Sequence, residues 1–134
     1  MIKTKNKLNN LSEAIKRLRE AIVDYKKATK DTLYRDGLIQ RFEFTFELAW
    51  KTTAECLRDQ GVLFEIFSPK SVYRSAYNAG YINDESVWLN MLEDRNKTSH
   101  IYDESIATEI ADRICNRYAK EISELLNTLL KFSN

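Results

Sequence analysis

Apolar residues recur at intervals of three and four along the first part of the chain. The row consists of Leu8, Leu11, Ile15, Leu18, Ile22 and Tyr25. This spacing places the row on one face of an amphipathic helix, with Lys and Arg on the opposite face. We therefore expect a helix from about residue 6 to about residue 30. Asp31 and Thr32 then offer an N-cap for a second helix.

The second helix is predicted from about residue 32 to about residue 60, because Gly61 is a suitable residue just past a helix C-terminus. Its middle is apolar on several sides, as in a central helix that contacts more than one neighbour. The alternation from Phe42 to Phe46 resembles a β-strand. Strong helix formers on both sides and the absence of a hairpin partner favour the helix.

Three further helices are predicted in the remainder of the chain. Ser68 and Pro69 begin a short helix that stops at Gly80, and Asn83 caps the next one. Asp103 caps a long last helix of roughly 45 Å. The pattern thus predicts an all-α fold, a four-helix bundle with an additional short helix, in which residues 1–134 form a single domain.

The composition supports a globular helical protein. Hydrophobic residues make up 43% and charged residues 31% of the 134 residues, and three Gly and one Pro are too few for a β-sandwich. The net charge of +1 means that any nucleic-acid site must be local. With one histidine and no Cys-x-x-Cys pair, we expect no metal and no cofactor. Cys56 and Cys115 are interpreted as buried thiols of a reducing cytosol.

The chain also lacks the sequence marks of membrane insertion or export. No apolar stretch approaches the roughly 18 residues that span a bilayer, and residues 1–8 alternate Lys with polar residues. We therefore expect a soluble, cytoplasmic protein without a membrane partner.

Arg95 is the first residue whose position calls for a ligand or a partner. It follows Trp88, Met91 and Leu92 at helical spacing, on the face that should point into the bundle or an interface. Arginine is rarely fully buried without a partner. Two interpretations stay open: a structural arginine held by a carboxylate such as Glu43 or Glu47, or an arginine that binds a ligand.

His100 is the single histidine and lies five residues after Arg95. On an ideal helix the two side chains would be about 140° apart. They converge only if the helix ends between them or a second subunit supplies one of the pair. Tyr102 could then point into the same pocket. Such a group could cleave a phosphodiester without metal, although a solvated or capping histidine is the simpler alternative.

The segment from Arg95 to Tyr102 resembles the R-x4-H-x-Y motif of HEPN domains, with the polar Asn96 directly after the arginine. Residues 39–51 and 68–82 are similar to one branch of that superfamily, the nucleotidyltransferase substrate-binding proteins related to the HepT toxins. The resemblance extends from the second helix to the C-terminus. It implies an up-and-down bundle that forms a homodimer, with the motifs of two subunits meeting at the interface.

The resemblance also implies an activity and a partner. Catalytic HEPN domains are metal-independent endoribonucleases, which we expect to leave 2′,3′-cyclic phosphate ends. His100 would be the general base, Arg95 the phosphate stabiliser and Asn96 a positioning residue. The partner would be a minimal nucleotidyltransferase that acts as antitoxin by adenylylating the motif tyrosine, here Tyr102.

Other roles for the same residues stay open at this point. The chain could be a non-catalytic subunit that binds a nucleotide or another substrate for the nucleotidyltransferase, or a structural adaptor. Glu43 and Glu47 could orient Arg95 or face the partner. The simpler interpretation of Glu47 is an intrahelical ion pair with Lys51.

Overall fold

The computed structural model describes residues 2–99 and 103–133, and these residues form helices and connecting turns without any β-strand. The all-α prediction is therefore confirmed. No helix in these two ranges is both long enough and apolar enough to cross a membrane. The helices are α1 (Ile2–Lys27), α2 (Thr32–Asp59), α3 (Pro69–Asn78), α4 (Glu85–Thr98), α5 (Glu104–Arg113) and α6 (Ala119–Phe132), with a π-helical turn (Ile114–Tyr118) between α5 and α6.

The long helices α1 and α2 form the centre of the bundle. Thr4, near the start of α1, donates a hydrogen bond of 2.5 Å to Asp59 at the end of α2, so the two helices run antiparallel. Helix α6 packs against both, while α3, α4 and α5 pack against α2. As predicted, α2 therefore contacts neighbours on more than one side. The largest fully buried side chains are Trp88, Tyr73, Tyr118, Phe42, Phe46, Leu11, Leu18, Leu38, Leu57, Met91, Ile110 and Ile114.

Side-chain caps fix the starts of four helices. Asp31, Ser68 and Asp103 cap α2, α3 and α5 as the sequence predicts. The prediction for the fourth helix is wrong by one residue, because Asp84 and not Asn83 accepts the backbone N–H of Ser86, at 3.0 Å. A carboxylate is the better acceptor for an N–H at the positive end of a helix.

The last helix is not uniform, contrary to the prediction. Residues 104–132 are helical throughout, but the π-helical turn lies in their middle. Ile110, Ile114, Tyr118 and Ile122 follow each other at intervals of four and are all buried. Four residues overshoot one α-helical turn by about 40°, so a longer run of this spacing would drift off the core. A wider turn returns the row to the buried face.

The structure also shows how deeply three tyrosines and the two cysteines are buried. Tyr73 and Tyr81 belong to the core, whereas Tyr77 is 46% exposed. The interpretation as a buried thiol is confirmed for Cys56 and wrong for Cys115, which is half-buried; both thiols are free.

We expect Ser68→Ala to lower the free energy of unfolding by about 1 kcal/mol, because the Ser68 hydroxyl accepts the Ser71 N–H at 3.2 Å within a capping box. Chemical denaturation measures this change. Ser75→Ala, in the interior of the same helix, is the matched control and should be neutral or slightly stabilising. Equal losses for the two variants would contradict the role assigned to the cap.

Candidate functional site

Arg95 forms an ion pair with Glu43 of the central helix. Its Nη1 lies 3.2 Å from Glu43 Oε2, and the two side chains are 25% and 28% exposed. The same Nη1 is 3.4 Å from the Ser99 hydroxyl. Within residues 2–99 and 103–133, the buried Nε of Arg95 has no hydrogen-bond partner. The guanidinium is thus anchored through one nitrogen, and its remaining donors are left for other groups.

Glu47, the second carboxylate considered for Arg95, has a different partner. Its Oε2 lies 3.5 Å from the ammonium of Lys51, four residues further along α2. This is the ordinary intrahelical ion pair, worth a few tenths of a kcal/mol on an exposed surface. Glu43 is therefore the acidic residue that contacts Arg95.

Helix α4 ends between Arg95 and His100. Its last residue is Thr98, whose hydroxyl donates to the Arg95 carbonyl at 2.6 Å, and Ser99 is the C-cap. This ending meets one of the two conditions under which Arg95 and His100 could converge. The predicted site residues His100 and Tyr102 lie outside the described residues.

Asn96 does not join the Arg95–Glu43 pair. It is exposed on α4, and successive helical positions differ by about 100° around the axis. In the single chain, Asn96 therefore projects from a different side of α4 than Arg95. Of the predicted site residues that the structure describes, only Arg95 and Glu43 are brought into contact.

A polar cavity of about 460 Å³ lies at this end of the bundle. Helix α2 forms one wall, and the end of α4 and the start of α5 form the others. The cavity thus adjoins both ends of the connection that carries the motif. Its lining residues are Arg35, Asp36, Ile39, Glu43, Thr98, Asp103, Glu104 and Ala107.

Arg35 is a buried arginine that the sequence analysis missed. Its side chain is 9% exposed, and it pairs with Glu104 at the start of α5 and with Asp36 at 2.9 Å. The hydrogen bond to Glu104 raises the pKa of Arg35 against the opposing effect of burial. The pair ties α2 to α5 and fixes one wall of the cavity. A signal was present, because Arg35 precedes Leu38 and Ile39 by three and four residues, on the core side of α2.

Asp94 was also missed, and it fixes the last turn of α4. It is 4% exposed and accepts hydrogen bonds from Arg113 Nε at 2.7 Å and Nη2 at 3.0 Å. It also accepts the Tyr118 hydroxyl at 2.5 Å. Burial and this hydrogen bond raise the pKa of Tyr118. The network fastens α4 to the π-helical turn one residue before Arg95.

The part of the chain that the structure describes contains no group of three or more His, Cys, Asp or Glu side chains arranged to hold a metal ion. Among the described residues, the polar groups that could contact a ligand at this site include Arg95, Glu43 and the polar side chains that line the cavity.

Fold and site define a small helical-bundle protein with an arginine-centred polar site at one end of the bundle. The model of the family described as nucleotidyltransferase substrate binding protein like matches residues 6–131. The chain belongs to this family, as the motif and its two companion segments suggested.

Individual relatives agree with this assignment. A probable ribonuclease HepT from Haemophilus influenzae is 30% identical over 141 aligned positions, which cover 96% of this chain and 95% of the relative. A crystal structure of a Thermus thermophilus protein matches with a TM-score of 0.77 at 35% identity, covering 89% of this chain and 98% of that one. A Haemophilus influenzae structure, described as revealing the fold of a substrate binding domain of a nucleotidyltransferase, matches with a TM-score of 0.81 at 29% identity, covering 92% and 98%.

We expect Asp94→Ala to lower the free energy of unfolding by about 2–4 kcal/mol, because it leaves the Tyr118 hydroxyl and one side of Arg113 without their shared acceptor. Chemical denaturation gives the value. The neighbouring exposed Glu93 provides the matched control, since Glu93→Ala should change stability by less than about 0.5 kcal/mol. A loss below about 1 kcal/mol for Asp94→Ala would show that the network does not hold α4 in place.

Proposed function

We propose that this chain is a metal-independent endoribonuclease, the HEPN toxin subunit of a two-component system with a minimal nucleotidyltransferase. The observation that carries the proposal is the complete set of Arg95, Asn96, His100 and Tyr102 at the spacing of the motif. The anchored Arg95 and the similarity to a probable ribonuclease support it.

The proposed reaction uses the substrate's own hydroxyl as nucleophile. His100, in its neutral form, takes the proton of the ribose 2′-hydroxyl, and the 2′-oxygen forms a bond to the adjacent phosphorus. The bond from phosphorus to the 5′-oxygen breaks, and that oxygen takes a proton from solvent water, while His100 returns the proton it took to the solvent. The products are a 2′,3′-cyclic phosphate end and a 5′-hydroxyl end. Arg95 stabilises the charge that develops on the phosphoryl oxygens.

Glu43 has the role of orienting Arg95 in this proposal. A guanidinium with one nitrogen held by a carboxylate is fixed in direction before substrate arrives, which lowers the entropy cost of binding the phosphate. Glu47, one turn further, has no contact with Arg95 and stays outside the reacting group.

The proposal includes a homodimer. Asn96 is exposed and directed away from the Arg95–Glu43 pair, so it can position substrate beside Arg95 only if a second subunit brings its own motif alongside. A two-fold interface at the end of α4 achieves this, because each subunit then faces the same surface of the other.

The proposal includes a nucleotidyltransferase partner, which the description of the family supports, and a regulation by that partner. A nucleotidyltransferase, acting in the cytoplasm, would add a nucleotide to Tyr102 and so block the approach of RNA to His100 and Arg95. The added group carries bulk and negative charge, which compete with the phosphate for Arg95.

The test is cleavage of a labelled mixed RNA in EDTA by protein whose mass shows Tyr102 unmodified. We expect His100→Ala to slow cleavage by about 10²–10⁴-fold, because general-base catalysis contributes that much. Arg95→Ala should lose about 10²–10³-fold, as for a charge-stabilising donor. The ends of the products, 2′,3′-cyclic phosphate, identify the reaction.

Arg74→Ala is the matched control for Arg95→Ala. Arg74 is an exposed arginine on α3 that pairs with Glu85 at 3.1 Å, far from the motif in sequence and outside the cavity lining. It should retain full activity. Cleavage that persists unchanged in His100→Ala would refute the proposed reaction.

A second candidate function is a non-catalytic subunit that binds nucleotide for the nucleotidyltransferase. The description of the matching family favours it. Arg95 would then hold a phosphate, and His100 would add a hydrogen bond without proton transfer. Calorimetric titration with ATP, alone and with the partner present, tests this role. If Arg95→Ala abolishes ATP binding and the wild type cleaves no RNA, the binding role replaces the ribonuclease proposal.

An Arg95→Ala variant that loses only its dimer would instead indicate a structural adaptor.

A further inference from the structure

Helix α1 exposes a basic row along its length. The row follows three- and four-residue spacing, so its members share one face of the helix. All of them are exposed in the structure, and none is acidic. The acidic residues of α1, Glu13, Glu20 and Asp24, lie beside the row and not in it. The members of the row are Lys5, Asn9, Ser12, Lys16, Arg19, Val23 and Lys26.

This concentration of charge is local. Helix α1 contains eight Lys and Arg and three Asp and Glu, whereas the whole chain has a net charge of only +1. The remainder of the molecule therefore carries more acidic than basic residues. Helix α1 therefore carries the excess of positive charge in this protein.

The basic row borders a groove whose opposite wall is α6, which we name the α1–α6 groove. Two depressions lie along it, of about 440 Å³ in the middle and about 680 Å³ at the N-terminal end. Arg19 reaches across the groove and donates to the Ser123 hydroxyl at 2.7 Å. The residues that α6 contributes to the two depressions are uncharged: Ser123, Leu126, Asn127, Leu130 and Phe132.

Few acidic groups oppose the basic row. Glu20 lines the middle of the groove, and Asp59 lines its N-terminal end, where it accepts the hydrogen bond of Thr4. At the other end, burial and the acidic Asp112 raise the pKa of the Cys115 thiol and Lys26 lowers it, so both a basic and an acidic group lie near the start of the π-helical turn. Lys5 lines the depression at the N-terminal end, and Lys16 and Arg19 line the one in the middle.

The groove leads toward the candidate site. From Lys5 to Lys26 the row is about 32 Å long. Helix α1 ends at Lys27, and the four-residue turn that follows leads into α2, where Arg35 lines the cavity beside the motif. The Lys26 end of the basic row and the candidate site therefore lie at the same end of the bundle.

We propose that the α1–α6 groove binds the phosphate backbone of single-stranded RNA and leads the strand to the candidate site; this inference rests on the proposed function. The cations Lys5, Lys16 and Arg19 on one wall suit a polyanion, and the hydroxyl and amide groups of the other wall suit riboses and base edges. The contacts are directed to the backbone, so we expect little sequence preference.

The test measures binding of a labelled, mixed-sequence single-stranded RNA of about 20 nucleotides by a His100→Ala protein, which prevents cleavage during the titration. Lys16→Glu is introduced in the groove and Lys70→Glu on α3 as the matched control, since both replace an exposed lysine and change the net charge equally. We expect Lys16→Glu to weaken binding about fivefold or more at about 50 mM salt, and to lower the slope of log K against log salt by about 0.7. Lys70→Glu should bind as the parent does.

The outcomes of the binding test distinguish failure of the groove from failure of the proposed function. Unchanged binding by Lys16→Glu, or equal weakening by the two variants, in a chain whose wild type still cleaves RNA would overturn the groove and leave the proposed function standing. A wild type that neither binds nor cleaves RNA would overturn both. Loss of binding to the nucleotidyltransferase with RNA binding intact would assign the groove to an acidic protein surface and overturn the inference. Unchanged thermal unfolding of both variants excludes misfolding as the cause.

Discussion

The buried carboxylate of Asp94 is the interaction on which the geometry of the site depends. A charge with 4% exposure is tolerable only when it is fully paired, and Arg113 and Tyr118 supply three hydrogen bonds to it. These two donors lie five residues apart, Arg113 directly before the π-helical turn and Tyr118 at its end. The network therefore couples the wide turn of the last helix to the last turn of α4. Because Arg95 directly follows Asp94, this attachment also fixes the position of Arg95. The end of α4 at Thr98 determines where the motif leaves the helix.

Both arginines at this end of the bundle are already paired in the structure. Arg95 is held by Glu43, and Arg35 by Glu104 and Asp36. Such pairing orders the guanidinium groups but compensates their charge, so the site by itself attracts a distant phosphate only weakly. In the proposed function, the attraction comes from α1, where positive charge is in excess, and the ordered arginines act at short range. In this arrangement, α1 captures the polyanion, and the ordered arginines stabilise the reacting phosphate.

Much of the fold was predictable because it rests on local chemistry. Asp31, Ser68 and Asp103 are caps that can be identified from residue type and context alone, and the spacing of apolar residues located α1 and α2 to within a few positions. Asn83 was predicted as a cap, but the neighbouring Asp84 takes the position, because a carboxylate is the better acceptor at the positive end of a helix. The π-helical turn was missed because the apolar row was treated as an ordinary helical stripe, although its repeated interval of four indicated a wider turn. In the site, Arg95 was found from helical facing, and Glu43 was one of two carboxylates considered as its partner. Arg35 and Asp94 were overlooked because charged residues on a core face were not sought.

The sequence by itself determined the helical class, the order of the elements, the family and the motif from Arg95 to Tyr102, because periodicity, caps and motif spacing are properties of neighbouring residues. Only the tertiary structure decided that Glu43 and not Glu47 contacts Arg95, and that Asp94 pairs with Arg113 and Tyr118. Glu43 and Glu47 are equivalent in one helix, and the packing of α4 against α2 distinguishes them. The groove beside the basic row of α1 likewise exists only because α6 lies next to it. Contacts between residues distant in sequence depend on how the helices pack, and no local pattern encodes that packing uniquely.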